Sequence, residues 1–278
     1  MGHEHKPADI PAGQDSPLAY AITSRDRSVI AMVQQAVEHE QVMLAFQAVV
    51  PAGRQSRPAF YEGLIRVLDE TGRIIPANEF IHVIETTETG RIIDCLALEQ
   101  GLRMLAEYPD LRLALNMSAR SVGYRRWNDT LAGWLQRDPT IGERLILEIT
   151  ESSAMLIPEV VTGFMNELQQ EGISFALDHF GAGFTSFRYL RDFYFDILKI
   201  DGQFIRGIAE NPDNQILTAA LASIAEQFDM LTVAENVERP EDAAYLTSAG
   251  IDCLQGYFFG APSVRLPWVD TGLDKATA

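Results

Sequence analysis

The hydrophobic and polar positions of this chain alternate between two patterns. Short apolar runs are typical of buried strands, and stretches with the spacing of amphipathic helices separate them. Chains built in this way form a largely parallel sheet, and in a βα-barrel the carboxyl ends of the strands gather catalytic side chains at one rim. Five of the apolar runs stop at a residue that can bind a metal ion or activate water: Asn116, Glu148, Asp178, Lys199 and Glu235.

The alternation predicts a specific order of elements. Strands are predicted at residues 42–50, 59–68, 111–116, 144–149, 173–178, 195–200, 230–235 and 253–258. Helices are predicted at residues 25–40, 78–84, 89–108, 127–136, 158–170, 213–228 and 240–249. The first two strands lie too close together in the sequence for a crossover helix, so we expect them to be antiparallel. That pairing departs from a regular βα-barrel.

Length and composition fit one domain. The chain has 278 residues, of which 47% are hydrophobic, and a barrel of roughly 250 residues fits that length. Polar residues at the N-terminus predict a flexible tail over residues 1–23, and Ser24 is the expected N-cap of the first helix. We therefore expect the domain at residues 24–266 and a second tail at residues 267–278.

Charge and cysteine content restrict the partners and the compartment. The formal net charge of -17 disfavours non-specific binding to nucleic-acid polymers and membrane surfaces, so a phosphorylated substrate requires a mediating cation. The two cysteines, Cys95 and Cys253, lie far apart in apolar segments, which predicts free thiols in a reducing compartment. The sequence contains no apolar run of about 18 residues. We expect a cytoplasmic protein.

Taken singly, the polar residues near the rim also have structural explanations. Glu62 and Arg66 share one face of a strand and could form an ion pair in the core. Asn116 could form a turn or cap a helix, and Glu151 could also cap a helix. The segment from Asp178 to Gly183 is the strongest local signal, because an acid at a strand end followed by a Gly-containing loop is typical of a metal ligand beside a mobile loop.

Taken together, these residues place several carboxylates, an amide and an ammonium at one rim. Hard oxygen ligands suit Mg²⁺ or Mn²⁺. A buried lysine beside carboxylates can orient a nucleophilic water or neutralise charge in a transition state. The sequence contains neither the Cys and His spacing of a zinc site nor a phosphate-binding Gly-rich loop of the P-loop type. The residues therefore favour metal-assisted hydrolysis of a phosphate ester.

The sequence also resembles a known family over residues 36–262. The matching motifs are Phe46-Gln47, Glu62 to Arg66, Pro76 to Phe80, Asn116 to Ser118, Glu148 to Glu151, Ala176 to Gly181, Leu198 to Asp201, Ala234 to Glu238 and Gln255 to Tyr257. In this order they resemble the EAL-domain cyclic di-GMP phosphodiesterases. The resemblance implies an α/β fold, a modified TIM-type βα-barrel with an antiparallel first strand. It also implies hydrolysis of cyclic di-GMP to the linear dinucleotide pGpG with two Mg²⁺ or Mn²⁺ ions.

The resemblance assigns roles to individual residues. The implied metal ligands are Glu62, Asn116, Glu148, Asp178, His179 and Glu235, with Asp178 bridging the two ions. The implied catalytic residues are Lys199, which would act on the attacking water, Glu62 and Glu235. The implied substrate-binding residues are Gln47, Arg66, Glu238 and Gln255. Glu151 would brace the Gly-rich loop that follows Asp178.

Four positions depart from the family pattern. Gly63 replaces the alanine of the signature triplet, Ala48 replaces a proline, and Asn236 replaces a glycine. His179 stands where active members carry a second aspartate that serves the second metal. A neutral imidazole ligates Mn²⁺ but is a poor ligand for Mg²⁺, so we expect the second metal to bind more weakly.

Two functions are consistent with these residues. The retained ligands favour an active phosphodiesterase, whereas His179 favours a receptor that binds cyclic di-GMP without cleaving it and acts through a protein partner. A homodimer is also expected, because the loop from His179 to Phe187 carries Phe184 and Phe187, and relatives often pair nearby. These two aromatic residues could equally belong to the core.

Overall fold

A computed structural model of the protein describes residues 17–53, 57–181 and 190–268. Five of its strands end within two positions of the residues that the sequence pattern singled out. The strands are β1 (Val42–Pro51), β2 (Phe60–Leu68), β3 (Ile74–Pro76), β4 (Leu113–Asn116), β5 (Leu145–Thr150), β6 (Ser174–Phe180), β7 (Ile197–Ile200), β8 (Leu231–Ala234) and β9 (Cys253–Gln255).

Within the described residues, eight of these strands close into a barrel. Hydrogen bonds join them in the order β1, β9, β8, β7, β6, β5, β4, β2, and β1 then pairs with β2 to complete the circle. Neighbouring strands from β2 through β4 to β9 are parallel, whereas β1 is antiparallel to both of its neighbours. The prediction of a modified TIM-type βα-barrel with an antiparallel first strand is confirmed.

Strand β3 was not predicted from the sequence. It has three residues and pairs antiparallel with the end of β2, from Arg66 opposite Pro76 to Leu68 opposite Ile74. A strand this short shows no measurable alternation, so only the tight turn before it could have suggested the pairing. It extends the sheet outside the closed barrel.

Helices connect the strands around the outside of the barrel. They are α1 (Pro17–Glu38), α2 (Ile81–Ile84), α3 (Glu88–Glu107), α4 (Arg125–Arg137), α5 (Glu151–Ala154), α6 (Pro158–Gln169), α7 (Gly202–Ile205), α8 (Pro212–Gln227) and α9 (Pro240–Ser248). Proline begins α6, α8 and α9, where its missing N–H costs nothing and its fixed φ suits the first turn. Asn211 caps α8 by accepting a hydrogen bond from Asn214 N.

Several predicted boundaries are wrong. Helix α1 begins at Pro17, so Ser24 lies inside the helix and its carbonyl accepts a hydrogen bond from the Ser28 side chain. The predicted helix at 78–84 is divided into a 3₁₀ turn (Ala77–Glu79) and α2. The last strand ends at Gln255 rather than Phe258. Strand and helix ends are the least periodic parts of an element, and local pattern specifies them poorly.

The core extends into the predicted C-terminal tail. Trp268 is fully buried. Its ring packs edge-on against Phe46, Tyr61 and Tyr108, with centroids 4.7, 5.1 and 5.6 Å away. The expected boundary at residue 266 therefore excludes a residue that belongs to the core.

Cys95 and Cys253 are both buried free thiols, as expected. Burial raises the pKa of each thiol to about 11, so both stay protonated near neutrality. Among the described residues, no helix combines the length and the apolar character needed to cross a bilayer.

A buried carboxylate on α3 holds the loop that follows β4. Asp94 accepts hydrogen bonds through Oδ2 from Ser118 N at 3.0 Å and from the Ser121 hydroxyl at 2.5 Å. The Ser153 hydroxyl of α5 accepts from Ala119 N at 2.8 Å. These contacts fix the backbone directly after Asn116. Burial raises the pKa of Asp94 to about 6, although both hydrogen bonds lower it.

We expect the stability of the protein to depend on pH through Asp94. Its folded pKa exceeds the usual 3.8, so the folded state holds the proton more tightly and this carboxyl costs stability as pH rises from about 4 to 6. The displacement corresponds to about 3 kcal/mol. Asp94→Asn, which removes the charge and keeps an acceptor, should gain about that much over the parent between pH 4 and 7. Urea unfolding across this range measures the difference, and a difference independent of pH would contradict it.

Candidate active site

Each barrel strand places an apolar and a polar residue two positions apart inside the barrel. The apolar residues form one buried cluster: Val49, Phe60, Ala114, Ile146, Ala176, Ile197, Val233 and Cys253. Alternate residues of a strand share a face, so the next inward positions toward the rim form a second layer. We call this layer the polar ring: Gln47, Glu62, Asn116, Glu148, Asp178, Lys199, Glu235 and Gln255. Because β1 runs in the opposite direction, Gln47 precedes Val49.

Lys199 lies at the centre of the polar ring and is fully buried. Its Nζ is 3.1 Å from Glu62 Oε2, 2.8 Å from Glu148 Oε2, 3.3 Å from Asp178 Oδ1 and 3.1 Å from Glu235 Oε1. Burial alone lowers the pKa of this amine, but the four carboxylates outweigh it and raise the pKa well above its usual value. Lys199 is therefore an ammonium ion surrounded by carboxylates.

Neutral amides complete one side of the polar ring. The Asn116 side chain donates to Glu62 Oε1 at 2.7 Å, and Gln255 Nε2 donates to Glu62 Oε2 at 2.6 Å. Gln255 Nε2 also lies 3.3 Å from Gln47 Oε1, and Gln47 Nε2 donates to the carbonyl of Gly260. Glu62 is thus held from two sides, while Gln47 is buried and engaged with neighbouring protein groups.

The carboxylates of the polar ring differ in proton affinity. Burial raises the pKa of Glu148 well above its usual value, and burial raises that of Asp178 to about 6 despite Lys199. Burial also raises the pKa of Glu62 and Glu235, but other contacts outweigh it there. Lys199 and the hydrogen bonds from Gln255 and Asn116 lower the pKa of Glu62, and Lys199 together with His179 lowers that of Glu235 to about 2. One ammonium cannot neutralise four carboxylates, so burial and the remaining repulsion between carboxylates raise the pKa of Glu148 and Asp178, which are the first to take up a proton.

His179 lies on the outer side of Asp178 and Glu235, with its side chain half exposed. Its Nε2 is 3.5 Å from Asp178 Oδ2, and its Nδ1 is 3.0 Å from Asp201 Oδ2 and 3.4 Å from Glu235 Oε2. The contact with Glu235 raises the pKa of the imidazole to about 10 against the effect of burial, and the nearby charge of Asp178 adds to it. In the absence of metal these carboxylates therefore favour the protonated imidazole, whereas the sequence suggested a neutral one.

These residues fit divalent metal ions. Glu148 Oε1 is buried and has no hydrogen-bond partner among the described residues, so it is available as a ligand. Ligand atoms of Asp178, His179 and Glu235 all lie within 4.8 Å of one another. Oxygen donors from Glu62, Asn116 and Glu148 lie on the other side of Asp178 in the barrel order. A set of oxygens with one imidazole and excess negative charge suits Mg²⁺ or Mn²⁺ at the oxygen side and favours Mn²⁺ beside His179.

Glu151 contacts the loop that follows β6. It is buried at the start of α5, and its Oε2 accepts a hydrogen bond from Gly181 N at 3.1 Å. Residues 182–189, including Phe184 and Phe187, lie outside the described residues. The contact at Gly181 places Glu151 where the sequence predicted it would brace this loop.

Two of the expected substrate-binding residues lie outside the polar ring. Arg66 is half-buried and donates to the carbonyl of Ile65, so it does not form the core ion pair with Glu62 that was one alternative. Glu238 is exposed and lies 3.4 Å from Arg206. The barrel brings the other expected site residues together and leaves Arg66 and Glu238 outside the polar ring.

Sequence reasoning gave no role to Asp201, although it quoted the residue within a motif. Asp201 follows β7 by one position and contacts His179, which follows Asp178 on the neighbouring strand β6. Strand order alone places Asp201 beside β6. The contact also depends on the backbone of His179, which has a positive φ of 54°. A local pattern does not reveal that conformation.

Comparison with known proteins agrees with this geometry. A model of the EAL domain matches residues 30–262. The chain belongs to the EAL domain family. Cyclic di-GMP phosphodiesterase PdeF of Escherichia coli is 33% identical over 243 residues, which cover 86% of this chain and 32% of the relative. Cyclic di-GMP phosphodiesterase PdeB of Shewanella oneidensis is 30% identical over 234 residues, which cover 83% of this chain and 27% of the relative.

Solved EAL structures have the same fold. The FimX EAL domain from Pseudomonas aeruginosa bound to c-di-GMP has a TM-score of 0.77 at 27% identity, covering 85% of this chain and 96% of that chain. The PaMucR phosphodiesterase in complex with c-di-GMP has a TM-score of 0.74 at 28% identity, covering 85% and 97%. The chain spans about a third or less of the length of the two curated relatives, whereas it matches nearly all of both solved chains.

Gly63 and Asn236, two of the positions expected to depart from the family motifs, have local explanations. A Cβ added at Gly63 would lie 2.8 Å from Leu115 Cδ2, so the glycine leaves room for that side chain between β2 and α3. Asn236, which replaces a glycine, has a φ of 54°. Asparagine tolerates this left-handed conformation better than most residues. Each residue type therefore fits the local structure beside Glu62 or Glu235.

We expect Lys199→Met to destabilise the metal-free EAL domain by about 3–5 kcal/mol near neutral pH, because four buried carboxylates lose their shared cation. Added MnCl₂ should restore part of the loss. Urea unfolding in a chelator and then in MnCl₂ measures both effects. Arg103→Met is a matched control, since it breaks an exposed pair with Glu99 and should change stability by less than about 1 kcal/mol. Equal stability of Lys199→Met and the parent in chelator would contradict this.

Proposed function

We propose that this EAL domain is a metal-dependent phosphodiesterase that hydrolyses cyclic di-GMP to pGpG. The observation that carries the proposal is the polar ring, in which four carboxylates surround Lys199 at the carboxyl rim of the barrel. Family membership, relatives named as cyclic di-GMP phosphodiesterases and solved EAL structures containing c-di-GMP support the choice of substrate. Fold alone would not select this substrate.

The polar ring together with His179 provides two groups of metal ligands. Glu62, Asn116, Glu148 and Asp178 would hold the first ion, and Asp178, His179 and Glu235 would hold the second. Bound divalent ions supply Lewis-acid stabilisation of the phosphate and lower the pKa of water. The Asp178 carboxylate lies between both groups, because it contacts Lys199 through Oδ1 and faces His179 through Oδ2.

The protein groups orient the reactants. Lys199 Nζ would donate a hydrogen bond to the attacking water and offset negative charge that develops on the phosphate. In the overall reaction water adds to one phosphorus, the P–O3′ bond breaks, and one water proton ends on the released 3′ oxygen. Asn116 and Gln255 hold Glu62 in one orientation throughout.

Substrate contacts would come from the edge of the polar ring. The guanidinium of Arg66 suits a phosphate. Burial lowers the pKa of Arg66, and Glu62 and the exposed Tyr257 partly offset that effect. The side chains of Gln47 and Gln255 contact each other where β1 pairs with β9, and they would line the substrate on that side. Glu238 would have to break its ion pair with Arg206 before it could contact the substrate.

Asp178→Asn is expected to lower the rate of cyclic di-GMP hydrolysis by at least about 10³-fold, since it removes the negative charge shared by both metal groups. Chromatographic separation of cyclic di-GMP and pGpG after incubation with MnCl₂ measures the rate. Asp110→Asn, at an exposed position before β4, is the control and should retain the parent rate. Near-full activity of Asp178→Asn would contradict the site.

His179 favours a second candidate function. A receptor would bind cyclic di-GMP through the retained residues, and weak loading of the second metal would prevent cleavage. The protonated imidazole beside Asp178 and Glu235 places a positive charge where that metal would bind. Binding of cyclic di-GMP without any pGpG product in Mg²⁺ or Mn²⁺ would establish the receptor and refute the phosphodiesterase.

We expect the parent to be more active in Mn²⁺ than in Mg²⁺, because imidazole is a poor Mg²⁺ ligand. His179→Asp should raise Mg²⁺-dependent hydrolysis by at least about tenfold, while the affinity for cyclic di-GMP changes little. Steady-state rates in each metal, together with calorimetric binding of cyclic di-GMP, measure both quantities. His82→Asp, at an exposed position on α2, is the control. If the parent is fully active in Mg²⁺ and the variant gains nothing, His179 is not the limiting residue.

The assembly and compartment remain proposals. A homodimer and an additional protein partner are expected from the sequence, and Phe184 and Phe187, on which the dimer was argued, lie outside the described residues. A cytoplasmic location is likewise an expectation.

A further inference from the structure

We propose that Asp201 is a positioning residue that selects the ring tautomer of His179. Through this tautomer the second metal site would prefer ions that accept a nitrogen ligand. The inference rests on the proposed second metal group of Asp178, His179 and Glu235. It concerns a residue outside that group, which contacts the imidazole and not the reacting phosphate.

The Asp201 carboxylate has a fixed orientation. One oxygen, Oδ1, accepts a hydrogen bond from Gln203 N at 2.8 Å and so caps α7. The other, Oδ2, lies 3.0 Å from His179 Nδ1. Because the helix cap holds one oxygen, the second is directed at the imidazole.

The backbone of His179 presents the ring to this carboxylate. Its φ of 54° is in the left-handed region, where histidine occurs more often than most residues. In this conformation Nε2 lies 3.5 Å from Asp178 Oδ2. Glu235 Oε2 lies 3.4 Å from Nδ1, farther than Asp201 and outside hydrogen-bond geometry. The two ring nitrogens therefore face different carboxylates.

A carboxylate can only accept a hydrogen bond, so Nδ1 must carry the proton that is donated to Asp201. Nε2, which lies on the Asp178 side of the ring, would then be the nitrogen available to a metal ion held by the second metal group. Carboxylate–histidine–metal arrangements of this kind orient the ring and increase its basicity, and losing the outer carboxylate costs about 10- to 100-fold in metal affinity.

The test is calorimetric titration of the metal-free chain with MnCl₂, which counts the sites without using activity. The parent should bind two ions. Asp201→Asn keeps the helix cap through its amide oxygen but places an N–H₂ donor against Nδ1, which moves the ring proton to Nε2. We expect one of the two sites to weaken by about 10- to 100-fold and the other to change by less than about threefold.

Two controls separate positioning from a general structural effect. Asp110→Asn, an exposed aspartate before β4, should bind both ions as the parent does. In a His179→Asp background no tautomer has to be selected, so adding Asp201→Asn should change the weaker site by less than about threefold. Nitrogen-15 NMR of the zinc-loaded parent should show a metal-bound Nε2 and a protonated Nδ1 for His179.

Any of three results would overturn the inference. They are two unchanged Mn²⁺ sites in Asp201→Asn, a zinc-loaded spectrum with metal on Nδ1, or a parent that binds a single Mn²⁺. The proposed function is decided separately, by whether the parent converts cyclic di-GMP to pGpG. A hydrolytically active parent with unchanged Asp201→Asn sites would reject the role of Asp201 and retain the phosphodiesterase.

Discussion

The rest of the site depends on the burial of one ammonium ion among four carboxylates. Lys199 cannot be taken out of water alone, and neither can Glu62, Glu148, Asp178 or Glu235, but at 2.8–3.3 Å they compensate one another. The compensation is incomplete, because the negative charges outnumber the positive one. A site with this imbalance binds cations strongly. The ion pairs with Lys199 therefore permit the carboxylates to be buried and also leave the cluster with a negative charge that suits divalent metal ions.

The barrel makes this cluster possible by separating apolar from polar layers. Every barrel strand contributes one apolar residue to a layer beneath the polar ring, so the charged side chains pack against a close-packed apolar layer. The packing outside is equally tight: Leu115 approaches the backbone of both Gly63 on β2 and Gly101 on α3, where an added Cβ would be 2.8 and 2.5 Å from its methyl groups. Rigid walls keep the ligand oxygens at fixed distances, which is the condition for preorganised electrostatics.

His179 changes the chemistry at one edge of an otherwise retained EAL site. An aspartate at this position would add negative charge, whereas the imidazole is held between Asp178, Asp201 and Glu235 and takes up a proton in the absence of metal. In the proposed second metal group, the imidazole is a ligand for which a proton and a metal ion would compete. Glu62, Asn116 and Glu148 precede Asp178 in the barrel order, on the side away from Glu235.

The sequence by itself determined the order of strands and helices, the residues that end the strands, and the motifs that identify the family. These follow from alternation with a period of two and from residue types at strand ends, both of which are local properties. Only the tertiary structure decided that Lys199 contacts four carboxylates, that Gln47 binds Gln255, that Asp201 binds His179 and that Trp268 belongs to the core. The physical reason is barrel closure, which joins residues as far apart as Gln47 and Gln255 at distances and orientations that no local pattern encodes.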